Sequence, residues 1–404
     1  MRFLALRSPS FRMYEGGALF SVNGQWINRV VIGWVGWEMT GSATWVGLLS
    51  FFLFAPTVLT SPLFGVLMDR IQLRPAALVS HGIVTMAVLV LYFLYAGDLL
   101  TIGSLSAVAL VIGIAGSAER SVRMTIVPRM VDLDALPNAV AIHAANFNVA
   151  RLVGPAIGGI MIEMLGTGTT MFINVLVFLP NLVAIFFLTV RERDSSKGEV
   201  KNFMAELWAG ARHAALHPII REAMLLTALS SLTVRGVAEI VPVIADGLFN
   251  RGAEGLGQML SAGGGGALIA ALTISLRSAS SWAEGIPLIA HAAIFLGLLA
   301  VSALGLIDNW YLAVACVGVT GFCGTMVGIN MQSAIQLQVD DAFRGRVMSL
   351  WMVVGLGTSA LGALLLGSLT DLFGLSETLT SVGLIGIAAV VFLRYVLAHM
   401  VRSK

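Results

Sequence analysis

Apolar stretches of about 20 residues, the length needed to cross a hydrocarbon core, recur from one end of the chain to the other between short polar joints. Twelve such stretches are read, near 14–37, 43–67, 75–96, 101–123, 138–162, 167–190, 219–244, 256–276, 284–306, 310–332, 346–370 and 376–399. In lipid only helices and closed barrels satisfy every backbone polar group, and these runs do not alternate as barrel strands do. The pattern therefore predicts an all-α membrane protein of twelve transmembrane helices.

The longest polar joint, 191–217, contains Arg191-Glu192-Arg193-Asp194-Ser195-Ser196-Lys197 and leaves six stretches on either side. It predicts an N-terminal six-helix bundle over 1–190, a cytoplasmic linker over 191–217 and a C-terminal six-helix bundle over 218–404. The halves also match at a shift near 208. Ser8-Pro9-Ser10-Phe11-Arg12 answers His217-Pro218-Ile219-Ile220-Arg221, Val131-Asp132 answers Val339-Asp340, and Gly154 and Gly159 answer Gly362 and Gly367. Several matches at one offset predict a six-helix unit duplicated in parallel, giving two pseudo-symmetric bundles.

Composition sharpens this. Of 404 residues, 57% are hydrophobic and 11% charged, against roughly 25% charged in soluble domains. The net charge of +2, without a long basic run, argues against a nucleic-acid partner. Cys316 and Cys323, seven apart on one apolar helical face, suit neither a zinc cluster nor a redox pair. The first nine residues hold no apolar run of the ~7–15 residues that a signal peptide needs, so no cleaved leader is expected.

Charge placement tests the count. With the N-terminus inside, 19 of the 24 Lys and Arg residues fall on the cytoplasmic side, Arg251 alone falls outside, and Arg29, Arg151, Arg235 and Arg394 fall within spans. By the positive-inside rule both termini are expected in the cytoplasm. The expected location is the cell inner membrane, with the lipid bilayer as the chain's main solvent.

A chain of this design resembles the major facilitator superfamily. Gly65-Val66-Leu67-Met68-Asp69-Arg70-Ile71-Gln72-Leu73-Arg74 is similar to that family's signature between helices two and three, roughly Gly-x-x-x-Asp-Arg-x-Gly-Arg-Arg. Gly65, Asp69, Arg70 and Arg74 match, the second glycine does not, and Ser275-Leu276-Arg277-Ser278 in the second half keeps almost nothing of it. Asp132-Leu133-Asp134-Ala135-Leu136-Pro137-Asn138-Ala139, followed by the run from Asn146 to Gly159, looks like the enterobactin-exporter-like and macrolide-efflux-like branch. Gly154-Pro155-x-x-Gly158-Gly159 resembles the fifth-helix motif of proton-coupled exporters, although small residues are common in any membrane helix. The resemblance implies inner-gate roles for Gly65, Asp69, Arg70 and Arg74 and a closely packed, bendable helix at Gly154, Pro155, Gly158 and Gly159.

Ionisable groups at membrane depth cost ~2.5–3.5 kcal/mol each on insertion scales, so they mark paths or partners. Arg29 and Glu239 fall at nearly equal depth in the first and seventh spans. They are read either as an outer gate, with Glu239 the proton-responsive acid, or as separate groups, with Glu239 neutralised by Arg235 one turn away. Arg151, near the middle of the fifth span, either holds an anionic substrate group or braces packing. Glu119 and Arg123 form an inner gate network or anchor the surface. His143 and His291 are read as hydrogen-bonding residues within packed helices. Trp26, Asn146, Phe147, Asn330, Gln332 and Trp351 supply polar and aromatic lining for an amphipathic cavity.

No phosphate-binding Gly-x-x-x-x-Gly-Lys motif, metal cluster or nucleophile elbow occurs in the sequence. No cofactor and no catalytic residue are expected. The reading is a monomeric secondary transporter, not an enzyme, exporting a small drug-like or siderophore-like compound against protons by alternating access. Its rivals are an uptake symporter or facilitator on the same fold, and a sensor or assembly protein without net flux.

Overall fold

The computed structural model describes residues 4–68, 71–190, 203–276, 286–340 and 343–402. Among them there is no strand. Fourteen α-helices follow in order: α1 Pro9–Thr40, α2 Ala43–Met68, α3 Leu73–Ala96, α4 Ile102–Ile126, α5 Leu136–Leu165, α6 Thr167–Phe186, α7 Phe203–Leu216, α8 Pro218–Ser230, α9 Gly236–Glu239, α10 Gly252–Ser275, α11 Leu288–Leu304, α12 Trp310–Gln338, α13 Arg344–Phe373 and α14 Leu375–Arg402. Nine described helices are long and apolar enough to cross a membrane: α2 to α6, α10 and α12 to α14. Three predicted spans lie beyond those nine: α1, which carries Glu15 and Arg29 in its 32 residues, the short apolar α11, and the segment from α8 onward.

That seventh predicted span differs from expectation. Instead of one helix over 219–244, α8 gives way to a π-helical turn, Ser231–Arg235, then to the four-residue α9, and then to a second π-helical turn, Val243–Leu248, that starts after Pro242. Pro242 has no N–H to donate, and π turns absorb the resulting change of register.

The chain divides into two compact units, Met1–Thr40 with Phe52–Val200 and Gly41–Phe51 with Lys201–Lys404. In the first, α1 packs on α5 and α6, and α3 on α4 and α6. In the second, α12 packs on α10 and α11, α11 on α14, and α13 on the π turn Ser231–Arg235. The segment expected to link the halves contains α7, which packs on α13 and α8.

The internal repeat has a physical signature in two glycines. A Cβ on Gly154 of α5 would stand 2.6 Å from the Cβ of Trp26 on α1, and one on Gly362 of α13 would stand 2.2 Å from the carbonyl oxygen of Leu232. In the first unit α5 thus touches α1, and in the second α13 touches the π turn Ser231–Arg235, each through a position where only hydrogen fits, the close approach that small residues permit in membranes.

Candidate functional site

The first unit concentrates polar chemistry where α1, α3, α4, α5 and α6 meet. Glu119 on α4 accepts from Arg123 Nη2 at 2.7 Å through Oε1, and from Gln25 Nε2 on α1 at 3.0 Å through Oε2. His81 Nδ1 on α3 lies 3.2 Å from the same Oε1, and its Nε2 lies 3.0 Å from the Phe178 carbonyl oxygen on α6. Glu119, Arg123 and His81 are all buried. Tyr14 on α1 lies near the Arg123 guanidinium, and Arg120 shares the field of Arg123 and Glu119.

A second carboxylate, Glu15 on α1, faces His143 Nδ1 at 3.1 Å and accepts from Asn146 Nδ2 at 2.7 Å, both on α5. In the second unit, Glu222 on α8 faces His291 Nε2 on α11 at 2.8 Å. Three carboxylate–imidazole pairs therefore lie within apolar helices, where an isolated charge would be costly. Sequence reasoning reached Glu119, Arg123, Asn146, His143 and His291. It missed Glu15, His81 and Glu222, for which the available signal was the cost of any ionisable residue at depth, and Gln25, a neutral amide to which that signal does not apply.

Arg29 lies over the rings of Trp26 and Phe54, 5.0 and 4.5 Å from their centroids. It is near enough to Arg151 on α5 for their like charges to interact. Trp26 and Phe147 meet edge to face at 6.2 Å. Two guanidiniums and three aromatic rings thus gather in the first unit, a combination suited to an anionic group on a flat or apolar body.

Pro155, inside α5, lacks the N–H that would bond the carbonyl of Arg151, so the helix is freed to bend beside that arginine. Gly154, Gly158 and Gly159 are buried, and a Cβ on Gly158 would meet Ile27 at 3.3 Å. Arg74 donates to the Phe186 carbonyl and lies 5.8 Å from the centroid of the Phe186 ring, tying α3 to α6. Gly65 lies in α2, while Asp69 and Arg70 lie outside the described residues.

In the second unit, Glu239 is buried at the end of α9, between the two π turns. Arg235 directs Nη2 at the Gly324 carbonyl of α12, 3.5 Å away, and that nitrogen lies beside Gly328. Asn330 is buried and donates to Met326 O one turn back at 2.7 Å. Gln332 is half-buried, and Trp351 Nε1 donates to Thr227 Oγ1 at 3.2 Å, bridging α13 and α8. Within the first unit the structure gathers Arg29, Arg151, Trp26 and Phe147, whereas Asn146 is committed to Glu15.

Comparison with known proteins agrees with the fold. The family described as transmembrane secretion effector matches residues 2–403. The chain is 24% identical to the staphyloferrin A transporter of Staphylococcus aureus (strain NCTC 8325 / PS 47) over 372 residues, 89% of each protein. It is 26% identical to the enterobactin exporter EntS of Escherichia coli O1:K1 / APEC over 335 residues, 82% of this chain and 75% of that one. Among solved structures, the nucleoside transporter NupG aligns with a TM-score of 0.71 at 14% identity, covering 98% of this chain and 100% of that one. A bacterial homologue of the human lysosomal transporter Spinster, inward-facing and occupied, aligns at 0.73 and 12% identity, covering 97% of each. These structural likenesses show the fold. The chain is a multi-pass membrane transporter that belongs to the transmembrane secretion effector family of the major facilitator superfamily.

Proposed function

We propose that the protein exports a small amphipathic organic anion, siderophore-like or drug-like, in exchange for protons by alternating access, as a monomer in the cell inner membrane with both termini in the cytoplasm. The observation that carries this reading is the pairing of Arg29 and Arg151 with the rings of Trp26, Phe54 and Phe147 in the first unit. Cations backed by aromatic faces favour an anionic aromatic or acyl compound over a neutral or cationic one. The names of the two relatives, an enterobactin exporter and a staphyloferrin A transporter, support the same substrate class.

Coupling is assigned to buried groups that a proton can change. Glu239 is the proposed proton-responsive acid of the second unit, in backbone whose π turns resemble those often found at functional sites. Arg29 and Arg235 are the proposed countercharges. Gly65, Asp69, Arg70, Arg74, Glu119 and Arg123 are the proposed gate residues, with α5 bending at Gly154, Pro155, Gly158 and Gly159.

Inside-out vesicles containing the protein test direction and coupling together. With an acidic lumen, an exporter of this kind accumulates enterobactin or staphyloferrin A, and collapse of the pH gradient stops it. Accumulation only in right-side-out vesicles would establish uptake instead, and binding without flux in either orientation would establish a sensor.

A further inference from the structure

His81 has no exposed surface, and both of its ring nitrogens face oxygen: Nδ1 faces Glu119 Oε1 at 3.2 Å, and Nε2 faces the Phe178 carbonyl at 3.0 Å. A backbone carbonyl only accepts, and so does an ionised carboxylate. A neutral imidazole carries a single N–H, so beside an ionised Glu119 it would satisfy one oxygen and turn a lone pair toward the other. Opposed acceptors in a buried site carry the full cost of an unmade hydrogen bond. The arrangement therefore calls for one proton more than a neutral ring and a carboxylate hold between them. That proton resides on the ring, as imidazolium against carboxylate, or on Glu119, whose O–H then donates to Nδ1. Both forms have the same proton count.

The surroundings hold this proton in place without replacing it. On α4, Arg123 donates to Glu119 Oε1, and Arg120 lies within the same field. On α1, Gln25 donates to Oε2, Tyr14 lies near Arg123, and Glu15 adds negative charge and connects to His143 on α5. From α6, which has no titratable side chain, comes only the Phe178 carbonyl.

We infer that the His81–Glu119 pair is the resident proton-binding site of the first unit, and that losing its proton parts α3 from α4 and α6. Removal of the proton leaves a nitrogen lone pair against one of the two oxygens, the Glu119 carboxylate or the Phe178 carbonyl, so attraction becomes repulsion at a point where side chains of α3 and α4 and the backbone of α6 are joined. Proton release is thereby converted into helix displacement. The inference rests on the proton-coupled reading above and adds to it a site in the unit that also holds Arg29 and Arg151.

Two measurements on the full-length purified chain test it. Nitrogen NMR of histidine-labelled protein, with His81→Gln as the subtraction, is combined with infrared spectra of wild type against Glu119→Gln at neutral pH. The expected result is either a doubly protonated His81 ring or a protonated Glu119 carboxyl, and a neutral ring beside an ionised carboxylate overturns the proton assignment. In proteoliposomes with enterobactin as the probe, His81→Gln is expected to keep substrate-for-substrate exchange while its accumulation driven by an acidic lumen falls to the level seen without a gradient. His81→Asn, which likewise removes the ring while leaving Glu119 to Arg123 and Gln25, is expected to behave alike and serves where His81→Gln does not fold. Gradient-driven accumulation equal to wild type in either folded variant overturns the coupling role. A wild type indifferent to the gradient removes the export reading and the coupling role together, while the spectroscopic result still decides whether the pair holds a proton.

Discussion

Asp371, two residues before the end of α13, accepts the backbone N–H of Ala43 at 2.9 Å, so a carboxylate on one helix caps the first turn of another. The same side chain accepts from Thr44 N at 3.0 Å and from Ser42 Oγ at 2.5 Å. These are the orphan donors of a helix N-terminus, where negative charge is favoured. Both partners lie in the second compact unit, which takes in Gly41–Phe51. Asp371→Ala is expected to cost about 0.5–1 kcal/mol, the lower part of the range for a lost N-cap because the site is exposed. A cysteine placed at Thr44 should react faster with a water-soluble maleimide in that background, and Asp371→Asn should fall between the two. Unchanged labelling would show that the cap does not hold α2.

The glycine contacts predict an order of damage. Gly362→Ala sets a Cβ 2.2 Å from the Leu232 carbonyl, a backbone atom that cannot turn aside, whereas Gly158→Ala meets Ile27 at 3.3 Å and Val30 at 3.4 Å. Overpacking of the first kind costs about 1–3 kcal/mol. Thermal unfolding in detergent should show Gly362→Ala well below wild type and Gly158→Ala close to it.

Glu15 tests whether the second polar cluster is structural. Glu15→Ala leaves His143 and Asn146 facing an apolar gap, for about 1–3 kcal/mol of lost stability, while Glu15→Gln keeps an acceptor for Asn146 and loses less. Melting temperatures of the two variants give the comparison. Equal losses would mean that the carboxylate acts through charge alone.

Arg29 tests the substrate class. Loss of its charge over Trp26 and Phe54 should raise the Michaelis constant for an anionic substrate about ten-fold, the equivalent of ~1.4 kcal/mol, in Arg29→Gln. A neutral dye carried by the same protein should be almost unaffected. Equal effects on both compounds would make Arg29 a packing residue.

Run length made the helices legible, because a membrane helix announces itself by about 20 apolar residues whatever its neighbours. It could not reveal the break in the seventh predicted span, since hydropathy over 219–244 records composition and not hydrogen-bond register. Gly236 and Pro242 were the local signs. It also passed over α7, which lies in a polar joint and packs without an apolar run. Within the candidate site, Glu119 and Arg123 stood out as charges one turn apart on a single helix. His81 did not, because its partners Glu119 and Phe178 are 38 and 97 residues away and only the fold brings them to its ring. The proximity of Arg29 and Arg151 is hidden for the same reason.

The most direct test of proton-coupled export follows lumenal pH while substrate enters. Proteoliposomes of the purified chain, acid inside and loaded with a pH-sensitive dye, receive enterobactin or staphyloferrin A from outside. Exchange predicts that substrate entry alkalinises the lumen, in proportion to the substrate taken up and only where protein is present. Substrate entry with no lumenal pH change, or with further acidification, would contradict the account.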